Sequence, residues 1–293
     1  MKKVKTAIFP VGGLGTRFLP ATKSMPKEML PIANKPIIQY AFEEACRAGV
    51  EKFIFITGRN KNAINNHFDH SYELESKLDE KNKLSELSEV IGWMPEAGNI
   101  AFIRQQKPLG LGHAVWCARK FINDDEPFVV ILADEMILPN KDQKDNFLSK
   151  AIDFFYQKEN NSNIVAVDKI EIKNCNKYGI IKPSDLENQR IVDMIEKPSE
   201  KEAPSDLAIT GRYILQPKIF EYIEKVEIGS GGEIQLTDAM KLMCKDYPFY
   251  YKMINSQRFD CGNILGYLEA NIAFALNDKT IHDEVKKIIN KYK

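Results

Sequence analysis

The sequence predicts an α/β protein: a mixed, mainly parallel sheet flanked by helices, with a small additional β layer. Three observations carry that expectation. Short apolar runs alternate with segments of helical period, the pattern of a sheet covered on both faces. The first run ends directly in clustered glycines. From Gly179 onward the runs shorten and are separated by Pro and polar turns.

The apolar runs 6–11, 53–57, 100–104, 128–133 and 164–167 are the expected strands of the main sheet. Between the first two the spacing predicts a helix. Asn34 is placed to cap it, Pro36 sits in its first turn where a missing N–H costs little, and Gly49 follows its end. Ile37, Ile38, Ala41, Phe42 and Ala45 share one face of it. In 72–89, acids and lysines alternate around Leu74, Leu78, Leu84 and Leu87, which predicts a solvated helix or helix pair inserted between sheet elements. The shorter strands 179–182, 191–195 and 208–215 form the expected added layer, able to close over a ligand. Ile281, Val285, Ile288, Ile289 and Tyr292 recur at helical spacing, an amphipathic helix expected to pack on the body or on a partner subunit.

The 293 residues include 41 Lys plus Arg and 41 Asp plus Glu, so the formal net charge is zero. Proteins that live by non-specific contact with nucleic acid or anionic membrane carry a basic excess, and the balance here speaks against both partners. No window approaches the roughly 18 apolar residues of a membrane span. The five cysteines are odd in number and never form a C-x-x-C pair, which argues against a disulfide framework and a structural zinc site. The expected location is the reducing cytoplasm.

The glycines Gly12, Gly13 and Gly15 follow the first strand, where open α/β sheets bind nucleotides. A plain strand-to-helix turn would also use them. Two familiar motifs fail. A dinucleotide fingerprint needs glycine where Phe18 stands, and a P-loop needs Gly-Lys-Ser/Thr where Gly15-Thr16-Arg17 stands. Instead Arg17, Lys23, Lys27 and Lys35 face one acid, Glu28, between Gly12 and Lys35. Arg offers a fork for two phosphate oxygens and Lys a point charge, so the cluster suits an extended polyphosphate.

The stretch Gly12-Gly-Leu-Gly-Thr-Arg17 through Pro26-Lys-Glu-Met-Leu-Pro31 resembles the signature of the sugar-phosphate nucleotidyltransferases. The similarity continues through Gly110-Leu-Gly-His-Ala114, Glu196-Lys-Pro198, Gly211-Arg-Tyr213, Glu233-Ile-Gln-Leu-Thr-Asp238 and Phe259-Asp-Cys-Gly262. It covers most of the chain, and several ordered motifs are more specific than any one of them.

The resemblance implies a Rossmann-like nucleotide-diphospho-sugar transferase fold, with the added β layer over the sugar site. It implies one domain over 1–293: a nucleotide-binding part at about 1–135, a sugar-phosphate-binding part at about 136–262 and C-terminal helices at about 263–293. The implied activity is transfer of a uridylyl group from UTP to glucose 1-phosphate, giving UDP-glucose and pyrophosphate with Mg2+ as cofactor. The charged insertion before residue 100 and the Phe-Asp-Cys-Gly motif favour this branch over enzymes using dTTP or CTP. A non-catalytic regulatory subunit of the same fold is a further alternative. A homo-oligomer, dimer or tetramer, is expected.

By the same resemblance, Asp134 and Asp260 bind the metal, with Glu135 a possible second or substitute ligand. Taken alone, either aspartate also reads as a turn former or helix cap. Gly12, Gly13, Gly15, Glu28, Gln105 and Gly110 bind the nucleotide; Gly179, Glu196 and Lys197 bind the sugar phosphate. Arg17, Lys27 and Lys197 are the implied catalytic cations, and Lys23 is an auxiliary charge. Glu196-Lys197-Pro198 is expected as an extended segment presenting its two charges to different ends of one ligand. His113 is expected to lack a partner for a metal site and to serve as a helix-start residue, not a catalytic base.

Overall fold

Nine strands form one sheet among the residues that the computed structural model describes, 2–139, 146–184, 187–227 and 232–292. In chain order they are β1 (Thr6–Val11), β2 (Lys52–Thr57), β3 (Ile100–Arg104), β4 (Phe128–Ile131), β5 (Asn163–Lys169), β6 (Gly179–Pro183), β7 (Arg190–Glu196), β8 (Leu207–Leu215) and β9 (Phe249–Met253). Their spatial order is β3-β2-β1-β4-β8-β5-β9-β7-β6.

The first four strands are parallel, as their continuous apolar runs predict for a sheet buried on both faces. Side chains alternate between the faces. Ala7, Phe9, Val11, Phe53, Phe55, Val129 and Ile131 enter one core with the helices Ile37–Arg47, Phe147–Tyr156 and Ile264–Asn277. Ile8, Ile54, Ile56, Phe128 and Val130 enter the other with Leu111–Cys117 and Leu236–Met243. On the first face Phe55 stacks with Phe9 at 4.7 Å and with Phe102 at 5.3 Å between ring centroids. Buried aromatic pairs of this kind stabilise by roughly 0.5–1.5 kcal/mol beyond the area they remove from water.

Parallel order stops at β8, all of whose residues are buried; it runs antiparallel between β4 and β5. Beyond it β5 and β9 are parallel, while β7 is antiparallel to both β9 and β6. The sheet then curls until β6 also meets β8, through Ala208 and Ile180. Of the short strands expected as an added layer, β6 and β7 are therefore the curled end of the same sheet and β8 lies in its middle, because their backbone groups pair within the sheet instead of stacking on its face.

Asn34 does not cap the first helix. It lies in the turn between the short strands Pro31–Ile32 and Lys35–Pro36, the helix starts at Ile37, and the Ile37 N–H is taken by Leu30 O at 3.1 Å. The end is as expected, with Val50 N–H donating to Ala45 O across Gly49. The charged insertion is a helix pair, Tyr72–Glu80 and Leu84–Ile91, without a buried residue in either. The C-terminal helix His282–Asn290 buries none of its side chains, and its neighbour Ile264–Asn277 buries only Ala270 and Phe274. No helix among the described residues is long and apolar enough to cross a membrane.

Candidate active site

Beyond the C-terminal ends of β1, β3 and β4 opens a cleft of about 1010 Å³. Gly12 continues β1, Gln105 follows β3 and Asp134 sits in the turn after β4, so three parallel strand ends converge where open sheets hold nucleotides. All the implied site residues line it: Gly12, Gly13, Gly15, Arg17, Lys27, Glu28, Gln105, Gly110, Asp134, Gly179, Glu196, Lys197 and Asp260. Lys23 is exposed and does not.

Side-chain space is short where the loops meet. A Cβ on Gly12 would lie 3.0 Å from Gln105 Oε1. Gly110 has φ +96°, and a Cβ there would lie 2.8 Å from both Glu233 Cβ and Ile234 O. Backbone bonds from Gly112 N–H to Ile234 O (2.8 Å) and from Ile234 N–H to Leu109 O (2.7 Å) clasp the two motifs together.

At the turn after β4 the charges are paired. Lys27 Nζ donates to Asp134 Oδ2 at 2.5 Å. Burial opposes the Lys27 charge, but Asp134 and then Glu28 outweigh it and raise its pKa. Burial likewise opposes ionisation of Asp134, yet Lys27 holds that carboxyl below its ordinary value. Asp260 pairs in register with Glu135, and Cys261 N–H donates to Asp134 O at 2.8 Å, which ties the two aspartate segments together. A Cβ on Gly262 would lie 2.8 Å from Asp260 Oδ1, 3.2 Å from Asp134 Oδ2 and 3.6 Å from Arg17 Nη1, so two carboxylates and a guanidinium surround one point. Hard carboxylate oxygens suit Mg2+, which commonly takes one or two of them together with substrate phosphates. No cluster of three or more His, Cys, Asp or Glu is poised for a metal among the described residues.

Glu135 is engaged elsewhere. Its carboxylate receives Arg258 Nη1 at 2.6 Å, while Arg258 Nε donates to Asp168 at 2.9 Å. Burial pushes Glu135 up to about 7, with Arg258 opposing and Asp260 and Asp134 adding.

Glu196 is the last residue of β7 and lies opposite Gly179 at the start of β6. Its carboxylate is 3.1 Å from Lys197 Nζ. The expected extended segment is bent: Lys197 has φ +45°, a left-handed backbone that costs about 1–3 kcal/mol, and its N–H is secured by Tyr178 O at 2.9 Å. The bend keeps both side chains on the cleft.

A family model for nucleotidyl transferases matches residues 6–276. The chain belongs to the nucleotidyl transferase family. It is 45% identical over 287 residues to the UTP–glucose-1-phosphate uridylyltransferase of Bacillus subtilis (strain 168), covering 97% of this chain and 96% of that one. A protein of the same description from Staphylococcus haemolyticus (strain JCSC1435) is 45% identical over 291 residues, covering 99% and 98%. Among solved structures, a UTP-bound UGPase from Acinetobacter baumannii has a TM-score of 0.89 at 35% identity, covering 99% of this chain and 100% of that one. A UDP-glucose pyrophosphorylase complexed with UDP-glucose has a TM-score of 0.80 at 39% identity, covering 92% and 98%.

Further residues hold this nucleotidyltransferase cleft together. Lys61 is 7% exposed and donates to the buried Glu28 at 2.8 Å. Burial raises the Glu28 pKa, with Lys61 and Lys27 opposing. Arg212, turned inward at the Gly211 bulge of β8, donates to Glu44 at 2.7 Å and to Leu132 O at 2.9 Å, and so braces the turn carrying Asp134. Tyr178, whose hydroxyl donates to Asp260 at 3.4 Å, also lines the cleft. Arg212 lies within Gly211-Arg-Tyr213 and Arg258 stands directly before Phe259-Asp-Cys-Gly262, so position in or beside a motif is the signal that marks both.

Proposed function

We propose that this chain transfers a uridylyl group from UTP to glucose 1-phosphate, forming UDP-glucose and releasing pyrophosphate. The observation that carries the proposal is the convergence of Arg17, Lys27, Asp134 and Asp260 around Gly262, in a cleft that also holds Glu196 and Lys197. The descriptions of full-length relatives at about 45% identity support the substrates.

In the proposed reaction an oxygen of the sugar phosphate bonds to the α-phosphorus of UTP in line, while the bond from that phosphorus to pyrophosphate breaks. The attacking oxygen is already ionised at neutral pH. No general base is needed, and the protein's contribution is positioning, worth about 7–11 kcal/mol in well-aligned cases, plus charge neutralisation. Arg17 and Lys27 steady the triphosphate and leaving group. Lys197 holds the attacking phosphate, Glu196 accepts hydrogen bonds from sugar hydroxyls, and Gly179 offers its backbone atoms to the sugar at close range. Gly12, Gly13 and Gly15 bring backbone to the nucleotide, with Glu28, Gln105 and Gly110 on the nucleoside. Asp134 and Asp260 would hold Mg2+, which when bound neutralises phosphate charge.

The proposal keeps a single domain with its nucleotide part at about 1–135, its sugar-phosphate part at about 136–262 and C-terminal helices at about 263–293. It also includes self-association through the outer face of those helices, where Leu265 is 79% exposed and Ile264, Leu268, Ile272 and Ile288 are each about half exposed. Light scattering on the purified chain decides between monomer and oligomer. Five free cysteines fit a reducing cytoplasm.

Pyrophosphate release measured with UTP, dTTP and CTP, each with and without glucose 1-phosphate, tests the reaction. Release is expected with UTP and only when sugar phosphate is present. Faster release with another triphosphate, or none with any, overturns it.

A further inference from the structure

The Gln105 amide is held by two contacts, both through its nitrogen. Its Nε2 donates to Gly110 O at 3.1 Å and lies 3.0 Å from His113 Nδ1. A side-chain amide has two N–H donors, and both are thereby consumed by acceptors of the protein. The acceptor Oε1 is left on the Gly12 side, 3.0 Å from where a Cβ on that glycine would stand. Gln105 is 8% exposed, so the wrong amide orientation finds no water to compensate it.

His113 is the only one of these contacts able to change its hydrogen-bonding sense. It stands in the first turn of the helix Leu111–Cys117, behind Gln105 and off the cleft lining. Around it are the Trp116 ring, 5.7 Å between centroids, and Cys117 Sγ at 3.9 Å from Nδ1. Burial and then Arg119 lower its pKa, which favours the neutral ring, and the Gln105 Nε2 contact calls for the tautomer with its proton on Nε2 and Nδ1 as acceptor.

We propose that His113 is a specificity-determining positioning residue: by accepting from Gln105 Nε2 it fixes the amide so that only a carbonyl oxygen faces the nucleotide base. An acceptor there matches the ring N–H of a uracil or thymine imide and opposes the unprotonated ring nitrogen of cytosine. The proposal rests on UTP being the nucleotide and adds to it the means by which CTP is rejected. A site built around one buried hydrogen bond rejects a base that leaves it unpaired far better than an apolar pocket does.

The test compares His113→Leu, which removes the acceptor, with His113→Asn, whose Oδ1 takes the place of Nδ1. For each, kcat/KM is measured with UTP, CTP and dTTP at saturating glucose 1-phosphate. His113→Leu is expected to lower the UTP:CTP preference at least about tenfold, mainly through KM for UTP. His113→Asn is expected to keep it within about threefold. The UTP:dTTP ratio should not move in either, since both bases carry the same imide N–H; loss of helix packing would not separate the two ratios. An unchanged UTP:CTP preference in His113→Leu, or equal loss in both variants, overturns the proposal. If His113→Leu does not fold, His113→Ser, too short to reach Gln105, takes its place in the same comparison. A wild-type protein inactive on UTP would instead overturn the proposed reaction.

Discussion

Lys27 Nζ lies 2.5 Å from Asp134 Oδ2, so the ammonium proposed for the leaving group and the carboxylate proposed for the metal neutralise one another. Each is thereby kept charged in a partly buried place, and Arg17 stands by to share the phosphates.

Asp134→Asn retains the shape of this pair and removes the negative charge. Magnesium-dependent turnover is expected to fall by about 10²–10³-fold, the scale of losing one aligned electrostatic contact in a reacting site. Circular dichroism should show the native fold. A folded variant that keeps more than about a tenth of wild-type activity would falsify the metal role given to Asp134.

The pair also sets a pH dependence of stability. Asp134 is held below 3.8, so its contribution is full above that pH and is lost as the pH falls through the lowered value. Lys27 is raised above 10.5, so its share is full below that pH and is lost only as the pH rises beyond it. Urea denaturation should therefore find Lys27→Met less stable than wild type by an amount that is largest near neutral pH, because burial raises the Asp134 pKa once Lys27 is gone. The difference should shrink in stronger acid; growth on acidification would contradict the assignment.

Lys197→Ala separates positioning of the sugar phosphate from binding of the nucleotide. We expect kcat/KM for glucose 1-phosphate to fall by about 10²-fold, the worth of a charge-assisted contact of about 3 kcal/mol, with KM for UTP changed little. Single-turnover rates unchanged by the substitution would remove Lys197 from the reaction.

Arg212→Leu tests the brace behind Asp134. The change strands the Glu44 carboxylate, whose Oε1 already lacks a partner among the described residues. Breaking one side of such a buried pair costs about 3–5 kcal/mol. Thermal melting should show a large fall, and recovery in Glu44→Leu with Arg212→Leu would assign the loss to the stranded charge. No recovery would point to the lost bond with Leu132 O.

Much of the fold was legible because apolar runs buried on both faces leave an unbroken mark in the sequence, as at 6–11 and 128–133. Strand direction leaves none: 208–215 reads the same whether β8 runs parallel or antiparallel. Asn34 has the right chemistry for a cap, yet the Pro31–Pro36 bridge takes the chain past it before the helix begins. In the cleft, residues carried in motifs could be read, whereas Lys61 looks like surface lysine until Glu28 is found behind it. His113 could be placed at a helix start, but its contact with Gln105 depends on how the loop after β3 turns, which no spacing reveals.

Because β8 fills the slot between β4 and β5, the edge of β4 stays open during synthesis until some eighty further residues have been added. At ribosomal rates that is about 4–16 s of unprotected strand edge. Asp260 arrives later still. A nascent chain thus completes its nucleotide end only when nearly finished, and a stalled or truncated product lacking the last third would offer a sticky sheet edge where the enzyme has a working site.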